Sequence, residues 1–113
     1  MKVVDKPWGR EIWWAVTARY VGKIIEVKAG HRLSLQYHQI KLESMYCVSG
    51  QGAVQIGSQF VDVGPGWAAT ILPGTLHRVT AVTDLVLHEV STPEVTDVVR
   101  LNDDYDRMQD AST

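Results

Sequence analysis

The sequence GHRLSLQYHQIKLESMYCVSG, residues Gly30–Gly50, contains three potential metal ligands within eight positions. Gln36 and His38 are two residues apart, so both side chains point to the same face of an extended strand. The polar break Gln39–Lys41 predicts a hairpin turn, after which Glu43 would begin a second strand beside His38. An amide, an imidazole and a carboxylate from two paired strands would form a cation site. These residues alone equally suit a half-buried strand with a polar outer face.

Length and composition limit the class of protein. The chain has 113 residues, of which 45% are hydrophobic and 21% charged, which is typical of one soluble globular domain over residues 1–113. The net charge is −2 and the basic residues are scattered, which argues against nucleic acid as the main partner. No apolar run approaches the roughly 20 residues of a membrane span. The N-terminal sequence MKVVDKPWGRE lacks the apolar centre of a signal peptide.

The cysteine content predicts a compartment. Cys47 is the only cysteine, so no disulfide can form within the chain, and a cytoplasmic location is expected. Cys47 lies in the apolar run MYCV, which favours a buried packing role over a reactive thiol.

Short apolar segments separated by turn residues predict an all-β barrel or sandwich. A lead-in over residues 1–10 is expected to be irregular, a helical turn or two is allowed near Asp103–Gln109, and the tail 108–113 should be frayed. Trp13 and Trp14 place an aromatic on each face of the first predicted strand, and such a surplus favours a homodimer. The predicted strands are Glu11–Val16, Tyr20–Val27, His31–His38, Glu43–Ser49, Ala53–Ile56, Gln59–Val63, Trp67–Leu72, Leu76–Val82 and Leu85–Ser91.

Further polar residues lie on the later strands. His77 follows the Pro73-Gly74 turn, which would hold it well for metal binding, although a surface or core histidine is the commoner role. His31 adjoins a turn glycine and is expected in solvent. His88 alternates with valines and is expected to face the core or support a site. Glu89 would then point the other way, either as a buried functional carboxylate or as a structural one.

Two motifs resemble those of the cupin superfamily. The spacing Gly30-x5-Gln36-x-His38-x4-Glu43-x6-Gly50 is similar to the first motif, with glutamine at the usual first histidine. Gly66-x5-Leu72-x-Gly74-x2-His77 is similar to the second motif, with leucine at the usual proline. The resemblance implies a single-domain cupin, a double-stranded β-helix or jelly-roll barrel. It also implies one divalent metal ion per chain, bound inside the barrel by Gln36, His38, Glu43 and His77.

The glutamine narrows the resemblance to the cupin domain of type II mannose-6-phosphate isomerases. RLSLQ before His38, the lead-in KPWG and the tail VRLNDDY are similar to that family, in which glutamine is an accepted ligand. The family's large enzymes carry a nucleotidyltransferase domain ahead of the cupin, whereas these 113 residues contain none. The chain is therefore expected to be a stand-alone cupin domain. Three positions depart from the family's pattern: Lys41 for arginine, Met45 for tryptophan and Asp106 for glycine.

The resemblance implies aldose–ketose isomerisation of mannose 6-phosphate through an enediol, which needs a base, a Lewis acid and a cationic phosphate site. The donor set suits zinc first, and also manganese, iron, nickel or cobalt. Arg32, on the face of Gln36, and Lys41 or Arg78 are candidates for phosphate binding, and Arg107 is a further candidate by resemblance. Glu89, His88 or a metal-bound hydroxide would serve as the base.

Two other functions fit the same fold. One is a metal-dependent dioxygenase, lyase or epimerase that acts on another small molecule. The other is a non-catalytic cupin that binds a sugar. The expected partner is therefore a small molecule, such as a sugar phosphate, together with a second copy of the chain.

Overall fold

The computed structural model describes residues 1–108, which form two antiparallel β-sheets packed face to face. Sheet A has the strand order β1-β2-β3-β10-β5-β8, and sheet B has the order β11-β4-β9-β6-β7. None of the described residues belongs to a helix that is long and apolar enough to cross a membrane. The strands are β1 Lys2–Lys6, β2 Gly9–Val16, β3 Val21–Val27, β4 Leu35–Tyr37, β5 Glu43–Ser49, β6 Gly52–Ile56, β7 Gln59–Val63, β8 Ala68–Ile71, β9 His77–Ala81, β10 Leu85–Ser91 and β11 Val99–Asn102.

Alternation of side chains along the strands places the core between the two sheets. In β10, Leu85, Leu87 and Glu89 are buried, while the residues between them lie toward the outside. The apolar core takes residues from both sheets, including Ile25 and Cys47 of sheet A and Val54 of sheet B. The all-β prediction and the buried packing role of Cys47 are therefore confirmed.

The predicted hairpin within Gly30–Gly50 is wrong. β4 pairs with β9 and β11 in sheet B, whereas β5 pairs with β10 and β8 in sheet A. The polar break Gln39–Lys41 therefore carries the chain from one sheet to the other, so that β4 and β5 face each other across the barrel. Alternation predicts which side of a strand is buried, but it does not say which strand lies beside it.

The sequence pattern did not predict two of the strands, β1 and β11. The lead-in was expected to be irregular, but Lys2–Lys6 forms β1 and pairs along its whole length with β2. Strand β11 pairs with β4, although its sequence shows no alternation that would reveal it. Both strands form because a neighbouring strand offers free backbone hydrogen-bonding groups, a cause that lies outside their own sequences.

The chain after β11 turns back without a helix in the described residues up to Met108. Asp106 has a positive φ of 59°, a backbone conformation that does not continue a β-strand. Glycine is usual at this position in the family that the sequence resembles. The expected frayed tail lies, apart from Met108, outside the described residues. The two-residue turn Gly57-Ser58 joins β6 and β7 in a tight hairpin, with Gly57 at φ 60°.

Candidate metal centre

Four polar side chains meet in the interior between the sheets. Gln36 of β4 and His77 of β9 are direct cross-strand neighbours in sheet B. Glu43, the first residue of β5, approaches them from sheet A, and His38 lies just after β4. All four residues are nearly inaccessible to solvent, with 1–3% of their surface exposed. The fold thus brings together the four residues that the sequence resemblance implied as metal ligands.

Glu43 lies between the two imidazoles. Its Oε1 atom is 3.3 Å from Nε2 of His38 and 3.0 Å from Nε2 of His77. The ligand atoms of these three residues all lie within 4.8 Å of one another, so a single ion between them would reach each one. The two imidazole rings have centroids 5.1 Å apart and are tilted by 50° to each other.

The hydrogen bonds around the cluster fit a metal. Nδ1 of His38 contacts the carbonyl oxygen of Asp97, and Nδ1 of His77 contacts that of Thr75, at 2.9 Å. A carbonyl only accepts, so each Nδ1 carries the proton and each Nε2 presents its lone pair to the centre. The amide nitrogen of Gln36 donates to Ser34 Oγ. The buried Oε1 atom of Gln36 therefore points away from Ser34 Oγ. Gln36 Oε1, His38 Nε2 and both oxygens of Glu43 have no hydrogen bond among the described residues, as expected of ligand atoms.

A buried lysine and a second carboxylate adjoin the centre. Nζ of Lys41 lies 3.3 Å from Glu43 Oε2 and 3.8 Å from Glu89 Oε1. All three side chains are at most 2% exposed. A cation between two carboxylates offsets the cost of burying them, whereas an unpaired charge here would be strongly unfavourable.

The pKa values of the two carboxyl groups, Glu43 and Glu89, are shifted in opposite directions. Burial and the adjacent Glu43 raise the pKa of Glu89 well above its ordinary value, although Lys41 and Lys23 oppose this shift. Burial also disfavours the charged form of Glu43, but its contact with Glu89 and the charge of Lys41 hold its pKa well below the usual range. Glu43 therefore stays ionised more readily, as a metal ligand must, while Glu89 binds a proton more readily.

The charged interior continues away from the centre along sheet A. Lys23 of β3 is the cross-strand partner of Glu89, and its Nζ lies 3.4 Å from Glu11 Oε1. Trp13 donates from Nε1 to the same oxygen at 2.9 Å, and its ring lies 4.4 Å from Lys23 Nζ. Trp13 thus faces the interior and Trp14 lies exposed on the opposite face, as the sequence predicts.

One of the two side-chain candidates for the base lies outside the site. His88 was expected to face the core, but it is exposed on the outer face of β10, so that expectation is wrong. Glu89 instead occupies the inner face together with Leu85 and Leu87, because hydrophobic residues of a strand select which face is buried.

Three of the four predicted phosphate-binding cations bond to groups outside the cluster of candidate ligands. Arg32 pairs with Asp104 through two bonds of 2.7 and 2.8 Å, and Arg78 donates to the Leu33 carbonyl and to Asn102. Arg107 pairs with Asp103 in the C-terminal turn. Of the predicted set, Lys41 is the residue that the structure brings into the cluster. His31, expected in solvent, is half-buried with Nδ1 2.6 Å from the Tyr105 hydroxyl.

Two residues near the centre were missed as site residues. Arg100 of β11 is only 5% exposed and is the cross-strand partner of Gln36. Asp97 contacts His38 from the segment between β10 and β11. Both were difficult to find because they lie about 60 residues after their partners and belong to no short motif.

Comparisons with known structures agree with this fold. KdgF from a Halomonas species is 19% identical with a TM-score of 0.77, and the match covers 82% of this chain and 88% of that one. An RmlC-like cupin from Shewanella frigidimarina is 16% identical with a TM-score of 0.76, covering 81% and 83%. Ectoine synthase from P. lautus is 17% identical with a TM-score of 0.76, covering 89% and 81%. No curated protein sequence matches the chain.

The fold and the interior His/Glu cluster define a cupin with a candidate metal site. Residues 1–110 match the family described as mannose-6-phosphate isomerase C-terminal. The chain belongs to that family. The sequence resemblance to cupins, and to the cupin domain of mannose-6-phosphate isomerases, is therefore confirmed.

Proposed function

We propose that this protein is a metal-dependent sugar-phosphate isomerase of the mannose-6-phosphate type. One observation carries the proposal: Glu89, a carboxyl group with a raised pKa, lies beside Lys41 and Glu43 in the same interior cluster as the metal ligands. Family membership supports the same reaction. Isomerisation between an aldose and a ketose needs a tuned proton acceptor next to a Lewis acid, and this cluster supplies both kinds of group.

The metal would be held by Gln36, His38, Glu43 and His77. Two imidazoles, a carboxylate and an amide oxygen suit zinc, and also manganese, iron, nickel or cobalt. When bound, the ion supplies Lewis acidity toward the oxygens on C1 and C2 of the sugar.

Glu89 is the proposed base. It would take a proton from C2 of the aldose to give the enediol and return it to C1, while the proton of the C2 hydroxyl passes to the C1 oxygen. Because its pKa is raised, the ionised form of Glu89 is a stronger base than an exposed carboxylate. Lys41 would keep the deprotonated form paired while the proton is on the substrate.

Lys41 and Arg100 are the proposed anion contacts, in place of Arg32 and Arg78. Both side chains are buried and adjoin the ligand set, Lys41 through Glu43 and Arg100 through Gln36. A guanidinium group in a low-dielectric interior binds a phosphate group strongly. Arg107 would then support Arg100, because its carbonyl accepts from Arg100 Nη1 at 3.1 Å.

A metal-dependent dioxygenase is the second candidate. Two histidines and one carboxylate form the ligand set of many non-haem iron oxygenases, and His38, His77 and Glu43 supply that set. The glutamine would occupy a fourth position. This function predicts iron in the purified protein and consumption of oxygen, neither of which the isomerase requires.

A homodimer and a cytoplasmic location complete the proposal. The outer face of sheet A exposes large apolar side chains, which a second copy of the chain would cover: Trp14, Tyr46, Val48 and Val90. The cytoplasmic location rests on the lone buried Cys47, for which the structure shows no disulfide.

The test is metal analysis of the purified protein, followed by a coupled assay with mannose 6-phosphate and each candidate metal. Turnover that requires the metal is the expected result. A fully metallated protein that leaves mannose 6-phosphate unchanged would exclude the isomerase, and oxygen uptake with an iron-loaded sample would favour the dioxygenase.

A further inference from the structure

The segment of residues 92–98, which connects β10 to β11, lies against the turn that separates two metal ligands. The carboxylate of Asp97 accepts hydrogen bonds from the backbone N–H groups of Gln39, Ile40 and Lys41, at 3.1, 2.6 and 2.9 Å. These three residues lie between His38 and Glu43 in the chain. One side chain therefore satisfies three successive backbone donors of the turn.

The backbone of the same residue contacts a ligand directly. The carbonyl oxygen of Asp97 accepts a hydrogen bond from Nδ1 of His38. This bond places the proton of the neutral imidazole on Nδ1, which leaves Nε2 to face the centre. Asp97 thus holds the turn with its carboxylate and the adjacent ligand with its carbonyl.

The other histidine does not depend on this segment. Nδ1 of His77 contacts the carbonyl of Thr75, two residues earlier in the same turn. The orientation of His77 is therefore a local property of the β8–β9 connection. That of His38 depends on a residue 59 positions away.

We infer that Asp97 is a positioning residue that couples docking of segment 92–98 to metal binding at the centre. Its carboxylate fixes the segment on the turn Gln39–Lys41, and the fixed segment aims its carbonyl at His38. Binding linkage is reciprocal, so a metal ion held by His38 stabilises the docked segment by the same factor that docking adds to metal affinity. The inference rests on the metal centre of the proposed function and is independent of the substrate and the reaction.

The test compares zinc affinity of the full-length parent with that of Asp97→Ala, Asp97→Asn and Thr92→Val. Thr92 is the matched control, because its hydroxyl accepts from Leu42 N at 3.0 Å and joins the same two segments without contacting His38. Removing support behind a ligating histidine typically costs 10–100-fold in metal affinity, so Asp97→Ala should lose about that factor. Asp97→Asn keeps an acceptor oxygen and should lose less, and Thr92→Val should stay within about threefold.

A second measurement separates positioning from general stability. In the metal-free parent, ¹⁵N NMR at a pH where the imidazoles are neutral should show the Nδ1–H tautomer for both His38 and His77. In Asp97→Ala the His38 ring should become a mixture of tautomers while the His77 ring stays unchanged. This difference between two rings in one sample does not arise from a uniform loss of stability.

Hydrogen exchange tests the reciprocal effect. Zinc should slow exchange at the amides of residues 39–41 in the parent and much less in Asp97→Ala. Unchanged zinc affinity in Asp97→Ala, or an equal loss in Thr92→Val, would overturn the inference while leaving the metal centre intact. A parent protein that binds no zinc or other divalent ion would instead overturn the centre itself, and the coupling with it.

Discussion

Nε2 of His77 lies 3.0 Å from Oε1 of Glu43, although the two residues belong to strands in opposite sheets. The contact therefore depends on how sheet A packs against sheet B as well as on the local geometry of the site. A metal ion bound by both residues would link the sheets, so metal loading should stabilise the whole fold. The gain follows RT ln(1 + [L]/Kd), or about 2.7 kcal/mol when the free metal is at 100 times Kd.

Replacement of Glu43 should remove metal binding without unfolding the barrel. Glu43→Gln keeps the shape of the side chain but removes the charge that faces both imidazoles, so divalent metal affinity should fall at least 100-fold. Calorimetric titration of the metal-free protein with zinc would measure it. Ser44→Ala, next in the chain and bonded to Thr70 at 2.8 Å, is the control and should bind as the parent does. Equal affinities of Glu43→Gln and the parent would contradict the ligand assignment.

Neighbouring residues of β10 should differ sharply in their effect on turnover. Glu89→Gln should lower kcat by about 10²- to 10⁴-fold, the usual contribution of a general base, while the bound metal content stays the same. His88→Asn, on the exposed face of the same strand, should leave kcat within about twofold. Steady-state kinetics with mannose 6-phosphate would measure both. Comparable losses in the two variants would mean that Glu89 is not the base.

The charge of Lys41 should be needed for stability of the metal-free protein. Lys41→Met leaves the Glu43 and Glu89 carboxyl groups buried together, and breaking such a pair typically costs about 3–5 kcal/mol. Urea unfolding would measure the loss. Lys28→Met, at an exposed position, should change the free energy of unfolding by less than about 0.5 kcal/mol. Combining Lys41→Met with Glu89→Gln should recover part of the loss, because one of the unpaired carboxyl groups is then neutral.

Acid should weaken the C-terminal turn. Burial alone would raise the pKa of Asp103, but hydrogen bonds from Arg107 lower it below its ordinary value. A carboxyl group whose pKa is lower in the folded state stabilises that state above the unfolded pKa, so its contribution is lost as pH falls through the folded pKa. Unfolding free energies measured from about pH 5.5 down to pH 2.5 should fall less steeply for Asp103→Asn than for the parent. Asp62→Asn, an exposed position on β7, should keep the slope of the parent.

The outer face of sheet A should determine the oligomeric state. Tyr46→Asp places a charge on this apolar face and should convert a dimer to a monomer, as measured by light scattering. Phe60→Asp, at an aromatic on sheet B that is more exposed than Tyr46, is the control and should leave the mass unchanged. A parent protein of monomeric mass at micromolar concentration would contradict the homodimer.

Spacing and alternation predicted the class of fold, and their resemblance to the cupin motifs implied the four candidate ligands that the fold brings together. Gln36, His38 and Glu43 fall in one short motif, and His77 falls in a second, so their relation to the cupin pattern is visible within the chain. The inward position of Glu89 also follows from alternation, since it shares a face with Leu85 and Leu87. The order of residues within one strand is enough to predict which side chains share a face, because side-chain direction repeats every two residues.

Tertiary structure alone decided which strands are neighbours and which charges reach the site. β4 and β5 lie in opposite sheets, Arg32 and Arg78 are engaged by the C-terminal strand and turn, and Arg100 lies beside Gln36. Asp97 reaches His38 across 59 positions. Such contacts depend on how the two sheets pack and on where the chain returns to the site. The residues next to each partner in the sequence do not predict them.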